Sequence, residues 1–212
     1  MRGLDSVGST SWHNRHLGAF QRLRSLLAAD GAVNPTILIV GPGGVTRLFA
    51  PLLNDSSRAL SRSRKIIGDL ARYADQLFRR FPFAPLESLE PVELSRTIAM
   101  PHRLVVIDRS RRVLAAVARD LPESVTHCVD ISTTPIPGMA DVVVAFNVVC
   151  RLDPACQADG MRRVAEAVRP GGLLMVDDRT AEALLSVHAD FHALGDKLHR
   201  RLSSSSCTSA ND

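Results

Sequence analysis

The chain has 212 residues, of which 45% are hydrophobic and 23% are charged, and its formal net charge is +4. This composition is typical of a globular protein with one full core. The charge is too small to indicate a nucleic-acid-binding protein, and no apolar run approaches the ~20 residues of a membrane span. The polar start of the chain lacks the apolar segment of a signal peptide. We therefore expect a cytoplasmic protein without nucleic-acid or membrane partners.

The first predicted elements are a helix and a buried strand. The helix is predicted within residues 12–30 by apolar residues at helical spacing, which are Leu17, Phe20, Leu23 and Leu27. The apolar run at residues 37–40 predicts a strand that is covered on both faces. The strand leads into a glycine loop, Gly41-Pro42-Gly43-Gly44, where the backbone can turn sharply and approach a ligand.

Helical patterns follow the glycine loop. A short helix is predicted at residues 46–53, and residues 86–100 form a connector with a further short helix at 92–98. Together, residues 54–100 are expected to form a largely helical segment. Its longest helix is predicted at residues 56–81 from apolar side chains that recur every three or four positions, namely Ile66, Ile67, Leu70, Tyr73, Leu77 and Phe81.

The rest of the chain alternates strands and helices. Strands are predicted at residues 104–108, 125–129, 141–147 and 173–176, and helices at 110–119, 160–168 and 180–202. Such alternation predicts one doubly wound α/β domain over residues 1–202, with a parallel sheet and helices on both faces, before a disordered tail at 203–212. Ligands bind at the carboxyl ends of the strands in such sheets. Polar residues gather there in this sequence, at the glycine loop, Asp108, Asp130, Asn147 and Asp177.

These motifs resemble, in order, those of the class I S-adenosylmethionine-dependent methyltransferases, a Rossmann-like family. The glycine loop is similar to the first motif, residues 104–108 to the second, 129–131 to the third and 141–149 to the fourth. The most specific similarity lies in residues 162–176. A helix, then Arg169-Pro170-Gly171-Gly172, then an apolar strand is typical of this family. The resemblance implies the order 3-2-1-4-5 for the five predicted strands.

The resemblance also implies a site for S-adenosylmethionine. The glycine loop would pack against the amino-acid end and ribose of the cofactor, Asp108 would bind the ribose hydroxyls, and Asp130 would meet the adenine amino group. Asn147 would lie near the methyl group or the cofactor, although a packed turn residue explains an asparagine there nearly as well. The expected cofactor-binding residues are Gly41, Pro42, Gly43, Gly44, Asp108, Arg109, Asp130, Ile131 and Asn147.

The chain departs from the family's pattern in four places. Asp108 comes far later than the corresponding acid of the family, so residues 54–100 are expected to be a helical insertion between the first helix and the second strand. Ile39 stands where the family usually has an acid that helps to hold the cofactor's amino group, and Val45 stands where a third glycine is usual. No pattern after Asp178 predicts the sixth and seventh strands that normally complete the sheet. We therefore expect either a sheet of five strands or an edge covered by a partner subunit, since an exposed edge promotes aggregation.

The sequence assigns no catalytic residue and no metal. The N-terminal helix carries His13 and His16 and often caps the pocket in this family, whereas the histidines at residues 188, 192 and 199 fit a solvated face of the last helix. Asp177 and Asp178 suggest magnesium, but Asn147 stands where the related metal sites have an acid, so we expect Asp178 to cap a helix. The four cysteines contain no Cys-x-x-Cys pair, which argues against zinc and dithiol sites.

The predicted helix at residues 56–81 is basic, and four interpretations remain open. It is a lid over the substrate pocket, a dimerisation helix, a binder of anionic surfaces, or a solvated face that packs through its apolar stripe onto the domain. A homodimer or a partner subunit would contact the chain through the insertion or the sheet edge.

The sequence thus predicts S-adenosylmethionine-dependent methyl transfer to an acceptor of small-molecule metabolism. The alternative is a methyltransferase-like protein that binds S-adenosylmethionine or S-adenosylhomocysteine without transferring methyl, as a partner subunit or a repurposed enzyme. A nicotinamide oxidoreductase ranks third, because its third glycine and its acid about 20 residues further on are absent. The acceptor atom is not predicted.

Overall fold

The structure is a computed structural model that describes residues 14–52, 70–71, 73–81, 83–177, 191–194 and 197–201. Its strands are β1 (Thr36–Val40), β2 (Val45–Thr46), β3 (Leu86–Glu87), β4 (Arg103–Asp108), β5 (Val125–Cys128), β6 (Ala140–Ala145), β7 (Val168–Asp177), β8 (Phe191–Leu194) and β9 (Lys197–Arg201). Its helices are α1 (Leu17–Ala29), α2 (described at 70–71 and 73–78), α3 (Leu89–Ile98), α4 (Arg111–Asp120) and α5 (Pro154–Glu166).

The central sheet confirms the predicted fold class. β1 pairs in parallel with β4 and β6, β4 with β5, and β6 with β7. The sheet order is β5-β4-β1-β6-β7-β9-β8, so the five strands that the sequence predicts follow the expected order 3-2-1-4-5. The carboxyl ends of these parallel strands therefore meet at one edge, where doubly wound sheets bind ligands.

Helices cover both faces of the sheet. Ile37 and Ile39 pack with α1, α3 and α4, whereas Leu38 and Val40 face the opposite side and pack with α5. Neighbouring side chains of a strand point to opposite faces, which explains why the buried strand is apolar throughout. None of the helices in the described ranges is long and apolar enough to cross a membrane.

The predicted helix at residues 46–53 is wrong. After the glycine loop the chain forms β2, which pairs antiparallel with β3, and then a single 3₁₀ turn at Ala50–Leu52. The amide and the hydroxyl of Thr46 both donate to Asp75 Oδ1, at 2.7 and 2.8 Å. This anchor holds Thr46 in β2, so no α-helix follows the glycine loop directly. The described helices between β1 and β4 are α2 and α3, and α3 overlaps the short helix predicted at 92–98.

One of the four interpretations of the insertion helix, packing through its apolar stripe onto the domain, is wrong for the described residues, and the other three stay predictions. Residues 56–69, with Ile66 and Ile67, lie outside the described residues. In α2 and just after it, Asp75 is 0% and Arg79 is 5% exposed, whereas the predicted apolar stripe faces outward, with Leu70 and Tyr73 64%, Leu77 41% and Phe81 48% exposed. The inward face is polar because Asp75 accepts hydrogen bonds from the backbone amide and the hydroxyl of Thr46, which lies just after the glycine loop.

The predicted helix at residues 180–202 and the predicted end of the sheet at five strands are wrong. β9 pairs antiparallel with β7 from Leu173 to Asp177, and β8 pairs antiparallel with β9. These strands are the sixth and seventh strands that the sequence pattern did not reveal. They supply hydrogen-bond partners to the edge of β7, so no partner subunit is needed to cover that edge. Residues 178–190 and the predicted tail at 203–212 lie outside the described residues.

Local geometry explains the ends of two elements near the site. α5 begins at Pro154, before the predicted residue 160, because Asp153 caps it by accepting a hydrogen bond from Ala155 N at 3.0 Å. The Pro-Gly-Gly turn belongs to β7, where a Cβ on Gly172 would lie 2.8 Å from the Asp141 carbonyl oxygen. Only glycine therefore fits this close approach between β6 and β7.

Candidate cofactor site

A cavity of about 250 Å³ opens at the carboxyl ends of β1, β4, β5 and β6. Of the expected cofactor-binding residues, the structure brings Gly41, Asp108, Arg109, Asp130, Ile131 and Asn147 to its wall. It does not bring Pro42, Gly43 and Gly44 there. The other lining residues are Val40, Ile107, Val129, Ser132, Val148, Arg151, Leu152, Asp153 and Cys156.

Gly41 lies where β1 turns into the glycine loop, at the wall of this cavity. Its backbone has φ +58° and its amide donates to the Ile107 carbonyl at 2.8 Å. A Cβ at this position would lie 2.9 Å from Cγ2 of Val148, which also lines the cavity. Glycine is therefore required here both for the left-handed backbone and for the close approach of the two loops.

Asp108, the last residue of β4, carries a buried carboxylate at the cavity wall. It is 7% exposed, and its Oδ1 accepts a hydrogen bond from Ser110 N at 2.7 Å. Ser110 is the residue directly before α4, so the start of that helix fixes the orientation of the carboxylate. Arg109 lies between them, exposed to solvent and also on the wall.

Asp130 follows β5 and has one of its two oxygens engaged. Oδ1 accepts from both the amide and the hydroxyl of Ser132, at 2.9 and 2.6 Å. These bonds, led by the one from the Ser132 hydroxyl, hold the pKa of Asp130 below its ordinary value, against the opposing effect of burial. Oδ2 accepts no hydrogen bond from the described residues and is the oxygen available to a ligand. The Asp-x-Ser pattern, typical of a side-chain-to-backbone turn, was the signal for Ser132.

Helix α5 fixes the loop that carries Asp130. Arg163 Nη1 donates to the carbonyl oxygens of Ile131 and Ser132, at 2.7 and 2.8 Å. Ile131 is 5% exposed and packs in the core on the α5 face of the sheet. The loop is therefore held from both sides, which is the preorganisation that a binding site needs.

Asn147 follows β6 and turns the chain away from the sheet. Its φ of +55° is a left-handed conformation that asparagine tolerates better than most residues. The turn leads through Val148 into the 3₁₀ turn at Val149–Arg151. Asn147 is half-buried on the cavity wall, so its geometry fits both of the roles considered for it, ligand contact and turn formation.

The remainder of the glycine loop is buried beneath the insertion. Arg79 Nη1 donates to the Gly44 carbonyl at 3.3 Å, and Arg79 Nε lies 2.9 Å from Asp75 Oδ2. Burial lowers the pKa of the Arg79 guanidinium, Asp75 opposes this shift, and the positive charge of Arg151 adds to it.

Two arginines of α4 attach the insertion to the domain. Arg112 donates to the carbonyls of Arg79 and Ala84, each at 2.8 Å, and Arg119 donates to the Leu86 carbonyl at 2.7 Å. The described part of the insertion is thus held against α4 as well as against the glycine loop.

Sequence reasoning missed the lining residues that follow β6. Arg151, Leu152, Asp153 and Cys156 come from the 3₁₀ turn and the first turn of α5. The Asp-Pro pair at residues 153–154 was the available signal, because it marks a capped helix start close to the end of β6.

Of the histidines whose side chains the structure describes, none lines the cavity. His16 is 4% exposed, lies 3.9 Å from Glu90 Oε2 through its Nε2 and stacks on Phe146 with ring centroids 4.2 Å apart, but does not line the cavity. His102 precedes β4, at the opposite end of the sheet, and its Nδ1 lies 2.8 Å from the Met100 carbonyl oxygen. Residues 13, 188 and 178 are outside the described ranges, as are the side chains at 177, 192 and 199. Within those ranges no group of three or more His, Cys, Asp or Glu residues could hold a metal ion.

Comparison with solved structures relates this fold to methyltransferases. Magnesium protoporphyrin IX methyltransferase from Synechocystis PCC 6803, solved with bound S-adenosylmethionine, matches with a TM-score of 0.50 and 11% identity over 89% of this chain and 80% of that chain. The N-methyltransferase NodS from Bradyrhizobium japonicum, in complex with S-adenosylhomocysteine, has a TM-score of 0.49 and 13% identity over 85% of this chain and 83% of that chain. No protein-family model and no curated protein sequence matches the chain.

The match to the Synechocystis enzyme and the order of the sheet both identify the fold of this chain. The chain has the fold of the class I S-adenosylmethionine-dependent methyltransferases, with a central sheet completed by β8 and β9. At this level of identity the similarity shows a shared fold, and function has to be argued from the site.

Proposed function

We propose that this chain is an S-adenosylmethionine-dependent methyltransferase that acts on a small-molecule acceptor. One observation carries the proposal: two strand-end carboxylates, Asp108 and Asp130, meet the left-handed Gly41 at a single cavity. An adenosine presents two vicinal hydroxyls and one exocyclic amine to its site. Two carboxylates at one cavity can accept hydrogen bonds from these donors.

Asp108 suits the ribose of the cofactor. Its buried carboxylate is oriented by Ser110 and is an acceptor for hydroxyl donors. Charge-assisted hydrogen bonds of this kind contribute about 1.5–3 kcal/mol each. Asp108 would therefore supply a large share of the affinity for an adenosyl ligand.

Asp130 suits the adenine. Its carboxylate is ionised at neutral pH, as an aspartate with an ordinary pKa would also be, and its Oδ2 has no partner in the described part of the chain. Ile131, Val148 and Leu152 add apolar surface to the same wall. Adenine is flat and carries one amino group. It therefore matches a site that has apolar walls and one carboxylate oxygen to accept a hydrogen bond from that group.

The protein's contribution to the reaction would be orientation. The cofactor supplies an activated methyl group on a sulfonium when it is bound. The residues of the chain would hold the two reactants in line, which can supply about 7–11 kcal/mol of the barrier without a catalytic side chain. The insertion is bound to Thr46, directly after the glycine loop, through Asp75, and to α4 through Arg112. An insertion held there would favour a small acceptor.

The test is product formation. The protein is incubated with S-adenosylmethionine and a panel of small amines, phenols and carbon acids, and release of S-adenosylhomocysteine is measured. We expect acceptor-dependent release that is lost in an Asp108→Asn variant. Binding of both adenosyl ligands without release for any acceptor would favour the alternative, a methyltransferase-like protein that binds the cofactor without transferring methyl.

Location and assembly stay predictions. We propose a cytoplasmic protein and, of the two surfaces considered for a homodimer or partner subunit, the insertion. The edge of β7 is paired with β9, whereas Leu70, Tyr73 and Phe81 expose apolar side chains. Sedimentation of the wild type should therefore show an assembly that dissociates when Tyr73 and Phe81 are replaced by serine, and a wild-type monomer would contradict this.

A further inference from the structure

A buried histidine lies behind the cofactor cavity and is not used by the proposed function. His16 directly precedes α1, where a short polar side chain usually caps the helix, but its side chain does not cap α1. The residue is buried and is not part of the cavity wall. Burying a polar ring costs free energy unless its surroundings compensate. The neighbours of His16 therefore indicate what the ring does.

Glu90 lies on one side of the His16 ring. It belongs to the first turn of α3, where the helix dipole favours a carboxylate, and it is buried. Its Oε2 lies 3.9 Å from Nε2 of His16, which is within the distance of an ion pair when the ring is protonated. Removing one partner of such a pair destabilises the fold, because the other charge stays buried. Glu90 therefore explains why this buried ring is a histidine.

The ring of His16 stacks on that of Phe146. The two ring centroids are 4.2 Å apart and the ring planes differ by 30°, while Phe20 of α1 lies 6.1 Å from Phe146, centroid to centroid. Phe146 is itself buried and comes directly after β6. Because aromatic pairs have a small number of preferred arrangements, the stack fixes the orientation of the Phe146 ring.

Phe146 leads directly into the cavity wall. Asn147 follows it with a left-handed backbone and lines the cavity, and the next residue, Val148, packs close to Gly41. A left-handed conformation outside glycine persists where the surrounding structure determines it. The buried ring on the preceding residue contributes to this constraint. The contacts thus run from α3 and the start of α1, through the stacked rings, to a turn at the ligand cavity.

We propose that His16 is a positioning residue of the cofactor site, whose ring, stacked on Phe146, holds the turn at Asn147 in the geometry that binds the ligand. The inference rests on the proposed function, because it concerns the same cavity. The start of α1 would thereby act on the ligand through the end of β6, without touching the ligand. Such a role depends on the flat ring, whereas a packing role depends only on filled volume.

Two substitutions at residue 16 separate positioning from packing. His16→Leu fills the buried space without a flat ring, whereas His16→Phe keeps the flat ring, and both remove the same partner from Glu90. Both variants should therefore lose stability in urea unfolding. In calorimetric titration, His16→Leu should weaken S-adenosylhomocysteine by ~3- to 30-fold, in the range expected for residues that act on a site without contacting its ligand.

The flat ring should be sufficient for ligand binding. His16→Phe should bind S-adenosylhomocysteine within ~2-fold of the wild type, although it is less stable. His102→Leu is the matched control, because His102 is half-buried and precedes β4 at the opposite end of the sheet. This control should also stay within ~2-fold of the wild-type affinity.

A double-mutant cycle tests the route through Asn147. Asn147→Gly permits the left-handed backbone but removes the side chain and loosens the turn, so it should also weaken S-adenosylhomocysteine. The double variant His16→Leu/Asn147→Gly should bind no more weakly than the weaker of the two single variants. Losses from His16→Leu and Asp130→Asn should instead add within ~2-fold, because Asp130 follows β5, three positions from β6 in the sheet order.

Several results would overturn the inference. Equal affinities of His16→Leu and His16→Phe, whether reduced or unchanged, would show that the flat ring has no positioning role. Additive losses with Asn147→Gly, or no loss from Asn147→Gly alone, would show that His16 does not act through this turn. If His16→Leu does not fold, Phe146→Leu replaces it, because it removes the other ring of the stack and should cause the same loss. A wild type that does not bind S-adenosylhomocysteine overturns the proposed function together with the inference, whereas a wild type that binds it and gives any of the preceding results overturns the inference alone.

Discussion

Replacing Gly41 with alanine tests whether the glycine loop is shaped by the cavity wall opposite it. The residue has φ +58°, and a Cβ would lie 2.9 and 3.1 Å from the two methyl groups of Val148. A left-handed conformation costs a non-glycine residue about 1–2 kcal/mol. Overpacking against a stiff, β-branched neighbour adds about 1–3 kcal/mol. We therefore expect Gly41→Ala to lower the free energy of unfolding by about 2–5 kcal/mol.

Gly31 provides the matched control for the steric part of this cost. It has φ +63° in the turn after α1, and a Cβ there would meet no atom within 4 Å. Gly31→Ala should therefore lower the free energy of unfolding only by the cost of the left-handed conformation, about 1–2 kcal/mol. Urea unfolding of both variants measures the difference, and the double variant Gly41→Ala/Val148→Ala should recover about 1–3 kcal/mol relative to the sum of its single changes. If Gly41→Ala and Gly31→Ala differ by less than ~0.5 kcal/mol and no coupling appears, the two loops do not pack as described.

Three further experiments test the site. Asp108→Asn should weaken S-adenosylhomocysteine by ~10- to 150-fold in calorimetry, as expected for the loss of about 1.5–3 kcal/mol, and an unchanged affinity would remove Asp108 from the ribose site. Carboxyl titration by NMR should give Asp130 a pKa below its ordinary value that rises in Ser132→Ala. Because this pKa is lowered by folding, the associated stability is present above pH ~3.9 and is lost as the pH falls through the folded value; an unshifted pKa would refute the Ser132 contact. Bound S-adenosylhomocysteine should slow alkylation of Cys156, which lines the cavity, and leave the exposed Cys128 unaffected, whereas equal rates with and without ligand would place the ligand elsewhere.

The sequence was most informative where one pattern determines one structure. An uninterrupted apolar strand has to be covered on both faces, so the parallel strands could be predicted together with the polar residues at their ends. Their order came from the resemblance to the methyltransferase family. Asp108 and Asp130 follow directly from this rule, because each stands at or just after the last residue of a strand. Neither depends on any contact that is distant in sequence.

The failures lie where contacts distant in sequence decide local structure. Residues 46–53 have a pattern compatible with a helix, but Asp75 binds the amide and hydroxyl of Thr46 across 29 positions and holds this residue in β2. In the same way, the spacing of apolar residues in α2 suggested that they face the domain. The buried side chains are instead those of Asp75 and Arg79, and the apolar residues face outward. β9 is extended because it pairs along the edge of β7, and β8 because it pairs with β9. Periodicity alone cannot reveal interactions of this kind.

The most direct test of the central claim is parallel calorimetric titration of the purified protein with S-adenosylmethionine, S-adenosylhomocysteine and NAD. The cavity with Asp108 and Asp130 predicts micromolar binding of both adenosyl ligands at one site per chain and no binding of NAD. Absence of adenosyl binding, or preferential binding of NAD, would contradict the proposal that this cavity is a methyltransferase cofactor site.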